Sequence, residues 1–232
     1  MIDLYALTSP NVQKVFIALE ELQLPYRPIF VDVWKGEHFG DEFGRINPNR
    51  KIPAIVDHDG PGGKPQTVIE SGAILMYLAD KTGKLLPKDP AKRSEALQWM
   101  MVQMASIGPM SGQVVHFSKF APKGNDYALS RFKTELNRLW DVHEDRLKQS
   151  PFIGGDEYSV ADIALYPWLR NYDFTGMSVE GRPAIKKYID TITARPAVQK
   201  MLSILPTIKS SRDTASDDEK DRLFGRGKYA RA

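Results

Sequence analysis

The stretch Asn47-Pro48-Asn49-Arg50-Lys51-Ile52-Pro53-Ala54-Ile55-Val56-Asp57, followed after a glycine-rich turn by Thr67-Val68-Ile69-Glu70-Ser71-Gly72, decides how this chain reads. A proline stands before one short apolar strand, and the second apolar run ends in an acid and a hydroxyl at the start of a predicted helix. If the Ile52-Pro53 bond is cis, the backbone before it turns outward, and its N–H and C=O become free to pair with an extended peptide as an added strand. An ordinary strand-initiating proline accounts for the dipeptide equally simply. At the helix start, unpaired backbone N–H groups and the macrodipole attract a carboxylate. Ser71 adds a hydroxyl donor there, and Glu70 can accept from an ammonium. The same pair also works as a plain N-cap followed by a favourable first-turn charge. Taken together, the two segments suit the head group of a small peptide that carries both charges.

Working outward, residues 1–5 read as a strand, and Ser9-Pro10-Asn11 opens a helix whose apolar face is Val12, Val15, Phe16, Leu19 and Leu22. Alternation over 26–32 gives a second strand, and 35–44 a polar loop. Residues 54–57 form the third strand, the turn-rich run 59–65 leads to a hairpin return over 66–69, and a helix follows over 72–81. This is β-α-β, then β-β-α: a mixed sheet with helices.

Beyond Asp89 strand signals nearly vanish. Leu97, Met100, Met101, Met104 and Ile107 recur at helical spacing, as do Leu129, Phe132, Leu136, Leu139, Trp140, His143 and Leu147, so two long helices are expected to pack as a hairpin. The methionine stripe reads as core. Ser159-Val-Ala-Asp162 is a capping box with Asp in place of Glu, read as structural. Residues 182–205 offer further helices broken at Arg195-Pro196. The tail 207–232, with seven Lys or Arg against five Asp or Glu, reads as an extended wrap or a partly disordered end.

Composition narrows the chemistry. The chain has 232 residues, 42% hydrophobic and 26% charged, as in an ordinary soluble protein. No apolar run reaches membrane-spanning length, and the N-terminus lacks the basic start and apolar core of a secretory signal, so no membrane association and a cytoplasmic location are expected. With no cysteine, disulfides, cysteine-based zinc sites and an internal CxxC redox motif are excluded. The net charge of +3 is scattered, which speaks against a nucleic-acid partner. Histidines 38, 58, 116 and 143 lack metal-ligand spacing, and no hydrolase or nucleotide-loop signature occurs, so no metal is expected. Gly154-Gly155-Asp156-Glu157-Tyr158 matches a cyclase signature but lies in a short loop without the flanking sheet that chemistry needs.

Ser9-Pro10-Asn11 has two readings that are compatible. Ser is a preferred N-cap and Pro suits the first helical position. A thiolate over this helix start would also feel the dipole, the Ser9 hydroxyl and the Asn11 amide, which would lower its pKa from about 8.5 towards neutrality. In a chain without cysteine, that sulfur would belong to a ligand.

These motifs, with Tyr77-Leu78 and the distant Ser159-Val-Ala-Asp162, resemble the cytosolic glutathione transferases. Thr8-Ser9-Pro10-Asn11, Arg50-Lys51-Ile52-Pro53, Gln98-Trp99, Gly108-Pro109-Met110 and Trp140-Asp-Val are most similar to the nu class. The resemblance implies a thioredoxin-like α/β domain over 1–86, an all-helical domain over 91–206 and an extension over 207–232. It implies glutathione-dependent disulfide-bond oxidoreductase activity with glutathione as co-substrate, weak transferase or peroxidase activity, and a homodimer. By analogy Asn11 and Ser9 stabilise the thiolate, with Asn11 the stronger candidate, and Ile52 before Pro53 pairs with the cysteinyl unit. Glu70 and Ser71 hold the γ-glutamyl head, and Lys51 and His38 meet the glycyl carboxylate. Arg131 reaches across the dimer interface to the ligand of the other subunit. The class usually carries Thr where Ser9 stands and often Gln where His38 stands. Two other functions fit the same motifs: conjugation of glutathione to electrophiles, and a non-catalytic glutathione-binding module.

Overall fold

In the computed structural model, which describes residues 1–230, the apolar strand β1 (Ile2–Ala6) is an inner strand with neighbours on both sides. It pairs in parallel with β2 (Tyr26–Phe30) and antiparallel with β3 (Ala54–Asp57). β3 pairs antiparallel with β4 (Gln66–Ile69), giving the order β2-β1-β3-β4. A parallel pair needs a crossover, and α1 (Pro10–Leu22) supplies it. Pro28 cannot donate to a ladder, and it sits in the edge strand β2, where one side asks for no donor. The short helix α2 (Asp41–Ile46) precedes β3, and α3 (Ser71–Thr82) follows β4.

The chain divides into two compact units, residues 1–77 with 200–232, and residues 78–199. The core of the first is built by Leu4, Val15, Phe16, Leu19, Ile55, Ile74 and Leu75, all fully buried. Removing such side chains from water contributes about 1.5–3 kcal/mol each. In the first unit the four expected strands and the helices α1 and α3 are found within a residue or two at each end, but the segment 35–44, expected as a polar loop, holds a 3-10 turn and the start of α2.

The second unit is helical. α4 (Pro90–Val102) runs into a wider π-helical turn over Gln103–Ile107, then α5 (Gly108–Val115) and a second π turn over His116–Phe120. α6 (Asp126–Gln149) returns against α5, and α7 (Val160–Leu169), α8 (Tyr172–Thr175) and α9 (Pro183–Thr193) follow, with α10 (Pro196–Ile204) running into the first unit. The methionine stripe is only partly core. Met100 and Ile107 are fully buried, but Met101 is 47% exposed. The buried line is Ala96, Met100, Gln103, Ile107, and Met101 stands one residue, hence about 100° of helix, away from it.

Ser159 and Asp162 form the expected capping box at α7. The Ser159 N–H donates to Asp162 Oδ2 (2.9 Å), the Ile153 N–H and Tyr188 hydroxyl donate to Oδ1 (2.8 and 3.1 Å), and Asp162 is fully buried. The Gly154-Gly155-Asp156-Glu157 loop closes on this cap. A Cβ at Gly154 would lie 2.8 Å from Ser159 Oγ and 3.2 Å from Ala96, so glycine is required by contact rather than by nucleotide chemistry.

The tail, expected as an extended wrap or a partly disordered end, holds a helix. Ser216 and Glu219 form a second capping box that opens α11 (Asp217–Phe224), whose first-turn acids suit the helix dipole and which ends at Gly225 with φ 62°. The helix is held by Lys35 to Glu219 (2.8 Å), by the Ser211 N–H donating to Asp32 Oδ2 (3.0 Å), and by Trp34 edge-on to Phe224. Residues 231 and 232 of the expected extension lie outside the described residues.

Candidate functional site

Strand register brings most of the expected residues to one end of the sheet. Ala6 pairs with Phe30, Tyr5 with Ala54, and Ala54 with Ile69. The loops after β1, β2 and β4 and the loop before β3 therefore all emerge at that end. They carry Ser9 and Asn11, His38, Lys51 to Pro53, and Glu70 with Ser71.

Ser9 occupies the N-cap position of α1 with extended backbone, and its carbonyl accepts from the N–H groups of Val12 and Gln13 (2.9 and 3.0 Å). Its hydroxyl makes no capping bond. Pro10 is the first helical residue and Asn11 the second, half-buried. The side chain best placed to cap this helix is thus left unspent.

The Ile52-Pro53 peptide bond is cis, Pro53 is buried, and neither the N–H nor the C=O of Ile52 bonds to a described residue. The turn before it is stapled by the buried Asn47, whose amide donates to the Lys51 carbonyl (2.6 Å) while its Oδ1 accepts from the Asn49 N–H (2.9 Å). Arg50, at φ 53°, spends its guanidinium on the carbonyls of Phe39 and Gly40. Lys51 is exposed, and its ammonium has no partner among the described residues.

Glu70 sits at φ 67°, a left-handed conformation that non-glycine residues adopt at some cost and that is enriched at ligand sites. Its carbonyl accepts from the Ile74 N–H (2.9 Å), its carboxylate from the Asn49 amide (3.2 Å), and its side chain is exposed. Ser71 begins α3 and is buried.

Two participants escaped the sequence reading. Lys14, 1% exposed, reaches from α1 to Ser71, with Nζ donating to Oγ at 3.3 Å. Burial lowers its pKa from 10.5 to about 7, and Glu70 opposes the shift. Lys14 is not among the apolar residues that mark the buried face of α1, and no local signal marks a lysine that will be buried by a distant helix. Asn49, which holds Glu70, was legible only as part of a turn.

His38 is 2% exposed, and its Nδ1 finds no hydrogen-bond partner among the described residues. Burial and the nearby Lys51, Arg222 and Arg50 lower its pKa from 6.5 to about 4, so it is neutral near pH 7. Arg131 lies on α6 in the second unit, exposed and 3.7 Å from Glu135. Among the described residues no three His, Asp or Glu side chains come together as metal ligands, and no helix is long and apolar enough to cross a membrane.

Among the described residues, one end of the sheet therefore presents a serine hydroxyl that makes no capping bond at a helix start, an unpaired backbone segment, an acid beside a hydroxyl with a buried amine behind it, and an unpaired cation. Such a set suits an extended peptide with a carboxylate at each end and a nucleophilic group in the middle.

Residues 8–81 match the family model for the glutathione S-transferase N-terminal domain, and residues 126–191 the model for its C-terminal domain. The chain is 46% identical over 203 residues, 87% of its length and 94% of the relative's, to the disulfide-bond oxidoreductase YfcG of Escherichia coli. A glutathione transferase from Burkholderia graminis, solved with two glutathione molecules per subunit, superposes with a TM-score of 0.81 at 46% identity, covering 87% of each chain. One from Pseudomonas putida, solved with one glutathione disulfide per subunit, does so with a TM-score of 0.82 at 41% identity, covering 88% of this chain and 91% of its own.

Proposed function

The chain belongs to the glutathione S-transferase family, with a thioredoxin-like N-terminal domain and a helical C-terminal domain, and on that premise we propose that it is a glutathione-dependent disulfide-bond oxidoreductase. The observation that carries this reading is the convergence, in a chain without cysteine, of an unspent Ser9 hydroxyl, an unpaired Ile52 backbone and the Glu70-Ser71 pair at one end of the sheet. The protein contributes binding, orientation and a lowered thiol pKa, while the ligand contributes the sulfur.

Glutathione lies along the Ile52 edge with its backbone paired to Ile52, as an added strand. Its γ-glutamyl carboxylate takes the Ser71 hydroxyl and the start of α3, and its ammonium takes Glu70. Its glycyl carboxylate lies towards Lys51 and His38. Its sulfur rests over the start of α1, where Asn11 and Ser9 donate to it and favour the thiolate. That thiolate attacks one sulfur of a substrate disulfide, forming a mixed disulfide and releasing one substrate thiolate, which takes a proton. A second glutathione thiolate attacks the glutathionyl sulfur, releasing the other substrate thiol and leaving glutathione disulfide. Two glutathione molecules are oxidised for each substrate disulfide reduced. The protein acts as a cytoplasmic homodimer in which Arg131 approaches the ligand of the neighbouring subunit.

The test is a coupled assay of glutathione-dependent reduction of 2-hydroxyethyl disulfide, with Asn11→Ala beside the wild type. Turnover that falls about 100-fold in the variant, at unchanged unfolding midpoint, is expected. Wild-type turnover no faster than the uncatalysed background would sink the oxidoreductase reading, and thioether formation with an electrophile in its place would make the chain a conjugating transferase.

A further inference from the structure

The sheet end described above has a wall that the first eighty residues do not build. A cavity of about 770 Å³ lies against the 38–39 and 48–51 loops and is lined also by the C-terminal segment, so that His38, Phe39, Arg50 and Lys51 share it with Arg222 and Tyr229. Both family models stop short of that segment, the second at residue 191.

The tail is docked by specific contacts: Lys35 with Glu219, Asp32 with the Ser211 N–H, and Trp34 with Phe224. Its other basic side chains are largely spent on its own acids, Arg212 on Asp213, Lys220 on Asp217, Arg226 on Asp221 and Lys228 on Asp218. Arg222 is different. Its guanidinium lies over the Phe39 ring, 5.3 Å from the centroid, and makes no hydrogen bond or close ion pair among the described residues, its longer-range attraction going to Asp218, which already pairs with Lys228. Lys51 across the cavity is equally unpaired. Between them in charge, His38 is buried with an unsatisfied Nδ1, and both cations act on it. Two unspent cations and one unsatisfied buried ring nitrogen around a single cavity make an anion site, and a guanidinium stacked on an aromatic ring keeps its donor edge free for a carboxylate.

We propose that the C-terminal segment completes the glutathione site, with Arg222 joining Lys51 on the glycyl carboxylate and His38 hydrogen-bonded beside them. This rests on the glutathione reading above. It makes the tail a determinant of which thiol peptides the protein accepts, because a peptide without a free carboxylate at that end forfeits the Arg222 and Lys51 pairing.

The deciding experiment is isothermal titration of the full chain with reduced glutathione and with its glycyl monoethyl ester, for the wild type, Arg222→Ala and Arg222→Lys. The wild type should bind glutathione clearly more tightly than the ester. Arg222→Ala should weaken glutathione about tenfold, roughly 1.4 kcal/mol, and change ester binding less than about twofold. Arg222→Lys, which keeps the charge and loses the planar fork, should recover to within about threefold of the wild type. Arg222 is exposed and makes no polar bond, so the variants should unfold at the wild-type midpoint. Equal losses for both ligands, no loss for either, or no recovery with lysine overturns the proposal while glutathione binding stands. A wild type that binds neither ligand overturns the glutathione reading itself and this inference with it.

Discussion

Two of the helices with a serine N-cap, α7 and α1, use that serine in opposite ways. At α7, Ser159 and Asp162 close on each other, and Asp162 also takes the Ile153 N–H and the Tyr188 hydroxyl. At α1, Ser9 stands in the same N-cap position with the same extended backbone class, but its hydroxyl makes no capping bond, and Pro10 after it has no N–H to satisfy. A cap closed on itself stabilises the fold. A cap left open adds little stability and keeps its donors for a ligand. The same residue type at the same helical position therefore has a structural role in one unit and a proposed chemical role in the other, and the partners around it decide which.

Asp162→Ala is expected to give the largest effect. It leaves two buried backbone N–H groups without acceptors, so urea unfolding should show a loss of about 3–5 kcal/mol. A loss below about 1 kcal/mol would break the comparison, since the α7 cap would then not be structural.

Lys14 sharpens the other side. Burial holds its pKa at about 7 against 10.5 in the unfolded chain, so between those values the unfolded state binds one proton more than the folded state. Stability due to this group therefore rises with pH from about 7 towards 10.5, by about 1.4 kcal/mol per unit. The unfolding free energy of the wild type minus that of Lys14→Met should climb over this window. A flat difference would mean that Lys14 is not desolvated behind Ser71.

The serines themselves give the smaller effects. Ser159→Ala should cost about 1–2 kcal/mol by thermal or urea unfolding with disulfide-reductase turnover per folded molecule unchanged. Ser9→Ala should reverse that pattern: a stability change within about 0.5 kcal/mol, with turnover lowered about tenfold. If both variants lose stability alike, the two caps are equivalent and the open hydroxyl at α1 has no special part.

Much of this was legible before any coordinates. The strands announced themselves through short apolar runs between turn residues, and the residues proposed to hold glutathione drew attention through the Lys51-Ile52-Pro53 and Glu70-Ser71-Gly72 segments. The α7 cap was readable from Ser159 and Asp162 alone. The capping box that opens α11 was equally present as Ser216-Asp-Asp-Glu219, but an eight-residue helix with few apolar side chains has no periodicity to draw attention to it. The π turns at Gln103–Ile107 and His116–Phe120, by contrast, have no local signature, since the i to i+5 bond is set by what packs around it.

By itself, the sequence determined the four strands, most of the helices and the family, because propensity, capping and turn chemistry act between residues a few positions apart. Tertiary structure decided the rest. Strand register brought Ser9, Ile52 and Ser71 to one end of the sheet, burial put Lys14 behind Ser71, and tail docking set Arg222 beside the cavity that holds Lys51 and His38. Each of these joins residues far apart in the chain. Whether a charged side chain there is solvated or desolvated, paired or left open, depends on neighbours that only the folded chain supplies.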